Sequence, residues 1–193
     1  MVFSFFFLAA GLAHAAPQAF TVDAAHSSVG FSIKHLTSKV RGEFTQFDST
    51  FTFDEAHPEE GKVNVTIKAA SVNTRNEKRD EHLKGPDFFN AEKFPELKFV
   101  SKKVSKGKSK TLFKVDGELT LLGVTKPLSL DVEYHGAAKD PWGNEKAGFT
   151  ATGKVNRKDF GMVWNKSLDK GGILLGEEVA LQIEVEAQVA AKK

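Results

Sequence analysis

Period-two alternation of apolar and polar side chains recurs along most of this chain, and it constrains the fold more than any other feature. Val29, Phe31 and Ile33 alternate with Ser28, Gly30, Ser32 and Lys34, while Val63, Val65, Ile67 and Ala69 alternate with Lys62, Asn64, Thr66 and Lys68. Successive side chains of a strand point to opposite faces, so each such segment reads as a strand with one apolar and one wet face. The same pattern places strands at Leu97 and Phe99, at Phe113, Val115, Leu119 and Leu121, and at Leu128, Leu130, Val132 and Tyr134. Two more follow at Phe149, Ala151 and Val155, and at Val179, Leu181, Ile183, Val185 and Ala187. From Gly42 to Phe53 the phase shifts, because Phe44 is even whereas Phe47, Phe51 and Phe53 are odd; a bulge between Phe44 and Phe47 restores one inward face. Eight strands are thus predicted, linked mostly by short turns such as residues 58–61, 105–108, 123–127 and 140–143.

Short links favour antiparallel neighbours, and eight strands can close on themselves around either packed side chains or one small ligand. The expected fold is all-β, an eight-stranded antiparallel up-and-down barrel, and 193 residues suit one such domain. A membrane-spanning barrel is excluded: the face opposite the apolar one carries Lys62, Lys68, Glu184 and Glu186, and one Tyr with two Trp cannot form aromatic girdles. The 17 Phe residues suit a dry interior, since the ring has no polar handle. Net charge is +2 with Lys and Glu interspersed, which gives no footprint for nucleic acid. The absence of Cys rules out disulfides, thiolate metal sites and a Cys nucleophile.

Residues 1–15 read as a secretory signal peptide: an apolar run through Val2, Phe3, Phe5, Phe6, Phe7 and Leu8 precedes Ala13-His14-Ala15, a small-x-small cleavage pattern. The run falls short of the roughly 20 apolar residues that span a bilayer, so no stable membrane insertion is expected. It departs from the usual signal in having no Lys or Arg before it. The barrel domain then comprises residues 16–193.

One connection is long. The 27 residues between Ala69 and Leu97 carry no strand pattern, and connections of that length inside a compact domain usually serve function. Thr74-Arg75-Asn76-Glu77 has the form of a capping box, with a helix following through Lys78, Arg79, Asp80, Glu81, His82 and Leu83 and stopping at Gly85-Pro86. The helix has almost no apolar stripe. It is therefore expected to be a cap over one barrel mouth, held down by Arg79 and Asp80 and plugged by Phe88, Phe89 and Phe94.

Several of these segments together resemble the YceI-like family of bacterial periplasmic proteins. The matching stretches are Asp23-Ala24-Ala25-His26-Ser27, Phe31-Ser32-Ile33-Lys34-His35-Leu36, Arg79-Asp80-Glu81-His82-Leu83, Phe88-Phe89-Asn90, Phe94-Pro95, Gly117-Glu118-Leu119-Thr120, Gly123-Val124-Thr125-Lys126-Pro127 and Arg157-Lys158-Asp159-Phe160-Gly161. The resemblance implies a lipocalin-like barrel, a periplasmic location and a polyisoprenoid lipid, quinone or polyprenyl in type, held lengthwise inside. On that reading the lipid touches the inward residues Phe31, Ile33, Val65, Ile67, Phe99, Phe113, Val115, Leu119, Leu121, Leu130, Phe149, Val155, Leu181 and Ile183. The mouth would be formed by His26, His35, Arg79, Asp80, His82, Leu83, Phe88, Phe89 and Phe94. No catalytic group and no cofactor other than the lipid ligand is then needed, and a homodimer remains open. A buried chain of about 30 carbons at about 0.3 kcal/mol per heavy atom approaches about −9 kcal/mol, a sub-micromolar affinity.

Two other readings stand beside this one. Periodicity reports which face is inside and not whether a void remains, so a filled-core structural or stress protein fits the pattern equally. A metal-dependent enzyme would draw on His26, His35, His82 and Asp80, which are suitable zinc ligands. Their spacing argues against it, because no HExxH or H-x-H pair pre-positions two of them. Charged groups in the motifs, Arg157 among them, would otherwise pair around the mouth or contact a quinone or phosphate headgroup.

Overall fold

The structure, a computed structural model, describes residues 17–167 and 173–190. The expected signal peptide lies outside the described residues. The elements are β1 (Gln18–Val22), β2 (Ser28–His35), β3 (Ser38–Phe44), β4 (Phe47–Phe53), β5 (Lys62–Lys68), β6 (Val72–Asn73), α1 (Glu77–Lys84), β7 (Glu96–Lys106), β8 (Leu112–Leu121), β9 (Val124–Lys139), β10 (Glu145–Asn156) and β11 (Leu175–Val189).

Eleven strand segments make eight ribbons, because β1 continues into β2, β3 into β4 and β5 into β6. Each ribbon pairs antiparallel with the next in sequence, and β11 returns to pair with both β2 and β1, so the sheet closes as an up-and-down barrel. The phase shift between Phe44 and Phe47 is the junction of β3 and β4. There Thr45 N donates to Ser71 O and Gln46 N to Ser71 Oγ, both at 3.1 Å, so the break is matched by the break between β5 and β6 on the neighbouring ribbon. Two aligned kinks thus let amides freed by one break find acceptors at the other.

The alternation did not disclose β1 or the first half of β3. In β1 only Phe20 is buried, too little for a periodic signal over five residues. In β3 the inward series Val40, Gly42, Phe44 has a blank at Gly42, filled by a neighbour: a Cβ there would lie 2.5 Å from the ring of Phe31. Gly117 is the same device on β8, where a Cβ would meet the Phe99 ring at 2.5 Å.

Aromatic rings concentrate at the barrel end away from α1. Phe20 stacks on Phe51 at 5.1 Å, and Phe53 meets Phe113, Tyr134 and Phe149 at 5.4, 5.0 and 5.3 Å. The buried turn at Pro58 lies at the same end, and these groups form a dry floor.

The cap helix occurs over the expected residues with a different start. Asn76 is its N-cap and accepts from Arg79 N at 3.0 Å. Thr74 instead sits before the helix as an anchor: its Oγ1 donates to Asp80 Oδ1 at 2.5 Å and accepts from Arg79 Nε at 2.6 Å, while Arg79 Nη2 donates to Thr74 O at 2.8 Å. No residue of α1 is buried, so these polar bonds and the rings that follow hold it in place.

Candidate functional site

The barrel interior is hollow. A first chamber of about 210 Å³ occupies the floor half, and a second of about 290 Å³ lies beneath α1; Phe31, Phe44, Leu97, Leu119 and Leu181 line both. The two thus run in series along the barrel. Of the inward residues, Val65, Ile67, Phe99, Phe113, Val115, Leu130, Phe149 and Ile183 line the first chamber, Ile33, Leu121 and Val155 the second, and Phe31, Leu119 and Leu181 both. Several of them, including Phe31, Ile33, Val65 and Leu181, are only half-buried although they point inward, because their free surface faces the void. A core packed solid would have buried them fully. Among the described residues, none that lines the first chamber has an ionisable side chain, and its polar side chains are Ser49 and Thr52. Lined almost wholly by apolar side chains, it suits a hydrocarbon chain.

Polar groups gather at the cap end. His35 from the end of β2, Arg79, His82 and Leu83 from α1, and Phe88 and Phe89 after it all line the second chamber. The His82 ring meets Phe88 edge-on at 5.0 Å and Trp164 at 5.1 Å, while Phe89 meets Phe44 at 5.3 Å. Asp80 lines neither chamber and serves through Thr74. Phe94 is also outside both; its ring lies over Gly123 in the turn from β8 to β9, with Lys93 Nζ 5.3 Å from its centroid. Phe94 therefore packs beside the plug rather than in it.

His26 is not at this mouth. It is exposed in the break between β1 and β2, with Nδ1 3.1 Å from Asp23 Oδ2 and 3.7 Å from Glu186 Oε1. Of the groups considered as a metal set, His35 and His82 line the second chamber whereas His26 and Asp80 do not, and His82 Nε2 pairs with Asp87 Oδ2 at 3.0 Å. Asp23, His26 and Glu186 do bring ligand atoms within 4.8 Å of one another. The cation there is Lys146, whose Nζ is 2.8 Å from Asp23 and 3.3 Å from Glu186. Lys146, followed by His26, holds the Asp23 carboxyl well below the usual carboxylate range, and Asp23 in turn raises the Lys146 ammonium.

Arg157, which the sequence placed among the polar groups of the mouth, lines the cap-end chamber too, beside residues that were not expected there, Met162 and Trp164 among them. Arg157 heads a 3₁₀ turn (Arg157–Phe160) and is 2% exposed. Its side chain reaches three backbone carbonyls, at Met162, Trp164 and Gly176. Burial pushes the guanidinium down, and Glu177 partly offsets this.

Residues 20–187 match the YceI-like domain. The chain belongs to the YceI-like family. Its relatives include a UPF0312 protein of Photorhabdus laumondii, 50% identical over 154 residues covering 79% of each chain, and one of Staphylococcus aureus, 41% identical over 173 residues covering 89% and 98%. Among solved structures, the YCEI protein of Campylobacter jejuni is 44% identical with a TM-score of 0.71 over 89% of this chain and 98% of its own. At the level of fold alone, the YceI-like barrel is shared by a polyisoprenoid binding domain from Saccharophagus degradans, 12% identical with a TM-score of 0.63 over 90% and 99% of the two chains.

Proposed function

We propose that this protein is a periplasmic carrier or store for a long-chain isoprenoid lipid, held lengthwise in the barrel with no chemistry done on it. The observation that carries the reading is the pair of chambers in series, walled by apolar side chains and joined past Phe31, Leu119 and Leu181. Such a space has room for a thin, flexible chain, and among the described residues its floor half offers no charged partner for a compact polar substrate. The polyisoprenoid-binding neighbour of the same fold supports the choice of an isoprenoid over other lipids. Export to the periplasm follows the apolar segment and Ala13-His14-Ala15 at the start of the chain.

Organic extraction of protein purified from its natural compartment, followed by mass spectrometry, tests the reading. An isoprenoid in near-stoichiometric amount is expected, and recovery of no lipid overturns it. Phe113→Trp and Phe149→Trp each add ring volume to the first chamber and should lower lipid retention while the circular dichroism spectrum stays unchanged. Unchanged retention in both variants would place the lipid elsewhere.

A further inference from the structure

Three apolar side chains stand in water on adjoining loops at one rim of the barrel: Leu36 is 42% exposed, Val163 67% and Ile173 55%. Leu36 is at the tip of the hairpin from β2 to β3, and its amide donates to Leu174 O at 2.9 Å, which sets it beside Ile173. Val163 precedes a strip bonded to that same segment, through Leu174 N to Lys166 O at 3.1 Å and through the Asn165 side chain to Leu175. The backbone of Leu36 is strained, with a φ of 52°, in the left-handed region that suits Gly or Asn. Leu122 has nearly the same φ, 53°, in the two-residue turn from β8 to β9, but its side chain packs on the core. Leu36 is not part of that packing, so neither backbone preference nor burial accounts for a leucine there.

Cations surround these side chains. Lys34 and Lys39 stand directly opposite each other in the register of β2 and β3, on either side of the tip, and Lys166 adjoins Ile173. All three are exposed, and among the described residues none has a carboxylate partner. Like charges directly opposite weaken a sheet, so this arrangement costs stability without a return inside the fold. We propose that this rim is a docking surface for an anionic lipid bilayer. The lysines attract the surface, and Leu36, Val163 and Ile173 enter its apolar boundary. A protein partner fits less well, because protein interfaces are enriched in Arg and aromatic residues and depleted in Lys. With three apolar side chains entering, the association is peripheral and reversible. His35, Trp164, Leu174 and Leu175 belong to the same loops and line the second chamber, so docking holds the barrel interior against a lipid source. The inference rests on the isoprenoid reading for its purpose, and adds the surface at which the protein is loaded or emptied.

The test sediments the purified protein with vesicles of phosphatidylglycerol or of phosphatidylcholine. Binding to the anionic vesicles is expected to be at least about tenfold tighter and to weaken as salt rises, since each lysine near such a surface contributes roughly fivefold and is screened. Lys34→Gln combined with Lys39→Gln should lower it at least about tenfold. Leu36→Asn should lower it at least about threefold while the melting temperature does not fall, because Asn suits the left-handed turn better than Leu. Equal binding to both vesicles, or to neither, overturns the proposal. Undiminished binding in either variant overturns the assignment of this rim. A dimer that Leu36→Asn dissolves, with no vesicle binding, replaces the bilayer by a second copy of the chain. Isoprenoid recovered by extraction should be equal in the parent and both variants, since Lys34, Leu36 and Lys39 line neither chamber. Its absence from all three strikes instead at the isoprenoid reading beneath.

Discussion

Lys146 joins the first ribbon to the last two, since it reaches from β10 to Asp23 beyond the end of β1 and to Glu186 on β11. The resulting depression of the Asp23 carboxyl has a definite sign. A carboxylate whose folded value lies below its unfolded value contributes stability that is present above about pH 4 and lost as the pH falls through the folded value. Lys146→Met removes the partner, so the variant's melting temperature should fall less steeply than the parent's between about pH 4 and pH 2. Parallel curves in that window would show that the pair adds nothing to folding. At this scale the inward residues were legible because a period of two assigns each side chain to a face. His26 and Phe94 were not, because their segments lie outside any regular strand and carry no periodic constraint. Arg157 was legible as a polar group of the mouth, but not the depth of its burial, which depends on carbonyls up to 19 residues away.

The cap is the element with the least apolar support. Its helix buries no residue, while Phe88 and Phe89 pack into the chamber from the turn that follows. Asn76→Ala removes the N-cap bond to Arg79 N, which typically weakens a helix by about 1 kcal/mol. Amides of residues 77–84 should then exchange faster with solvent while the global melting temperature barely moves, because local opening of α1 leaves the barrel intact. A global shift as large as the local one would mean that cap and barrel unfold as a unit. The sequence located this helix through its Gly85-Pro86 stop and charged surface, yet assigned Thr74 to the cap position. Both Thr and Asn favour that position, and only the path of the chain turns Thr74 towards Asp80 and Arg79.

For the whole molecule, closure depends on the first and last ribbons. The β1 part of that seam has three residue pairs, Phe20 with Val189, Thr21 with Gln188 and Val22 with Ala187, and Phe20 also stacks on Phe51 in the floor. Phe20→Ala should cost about 3 to 5 kcal/mol, read as a lower urea midpoint with an unchanged slope. A loss under about 1 kcal/mol would show that the floor repacks without that ring. The amino-acid sequence by itself determined a closed barrel of eight ribbons with a capped end, because alternation, short turns and one long connection are local features. Whether its interior was filled, where the two chambers met and which cation lay among them were decided only by the tertiary structure. Those properties follow from how side chains on different ribbons meet across the barrel, and a period along one strand carries no record of that.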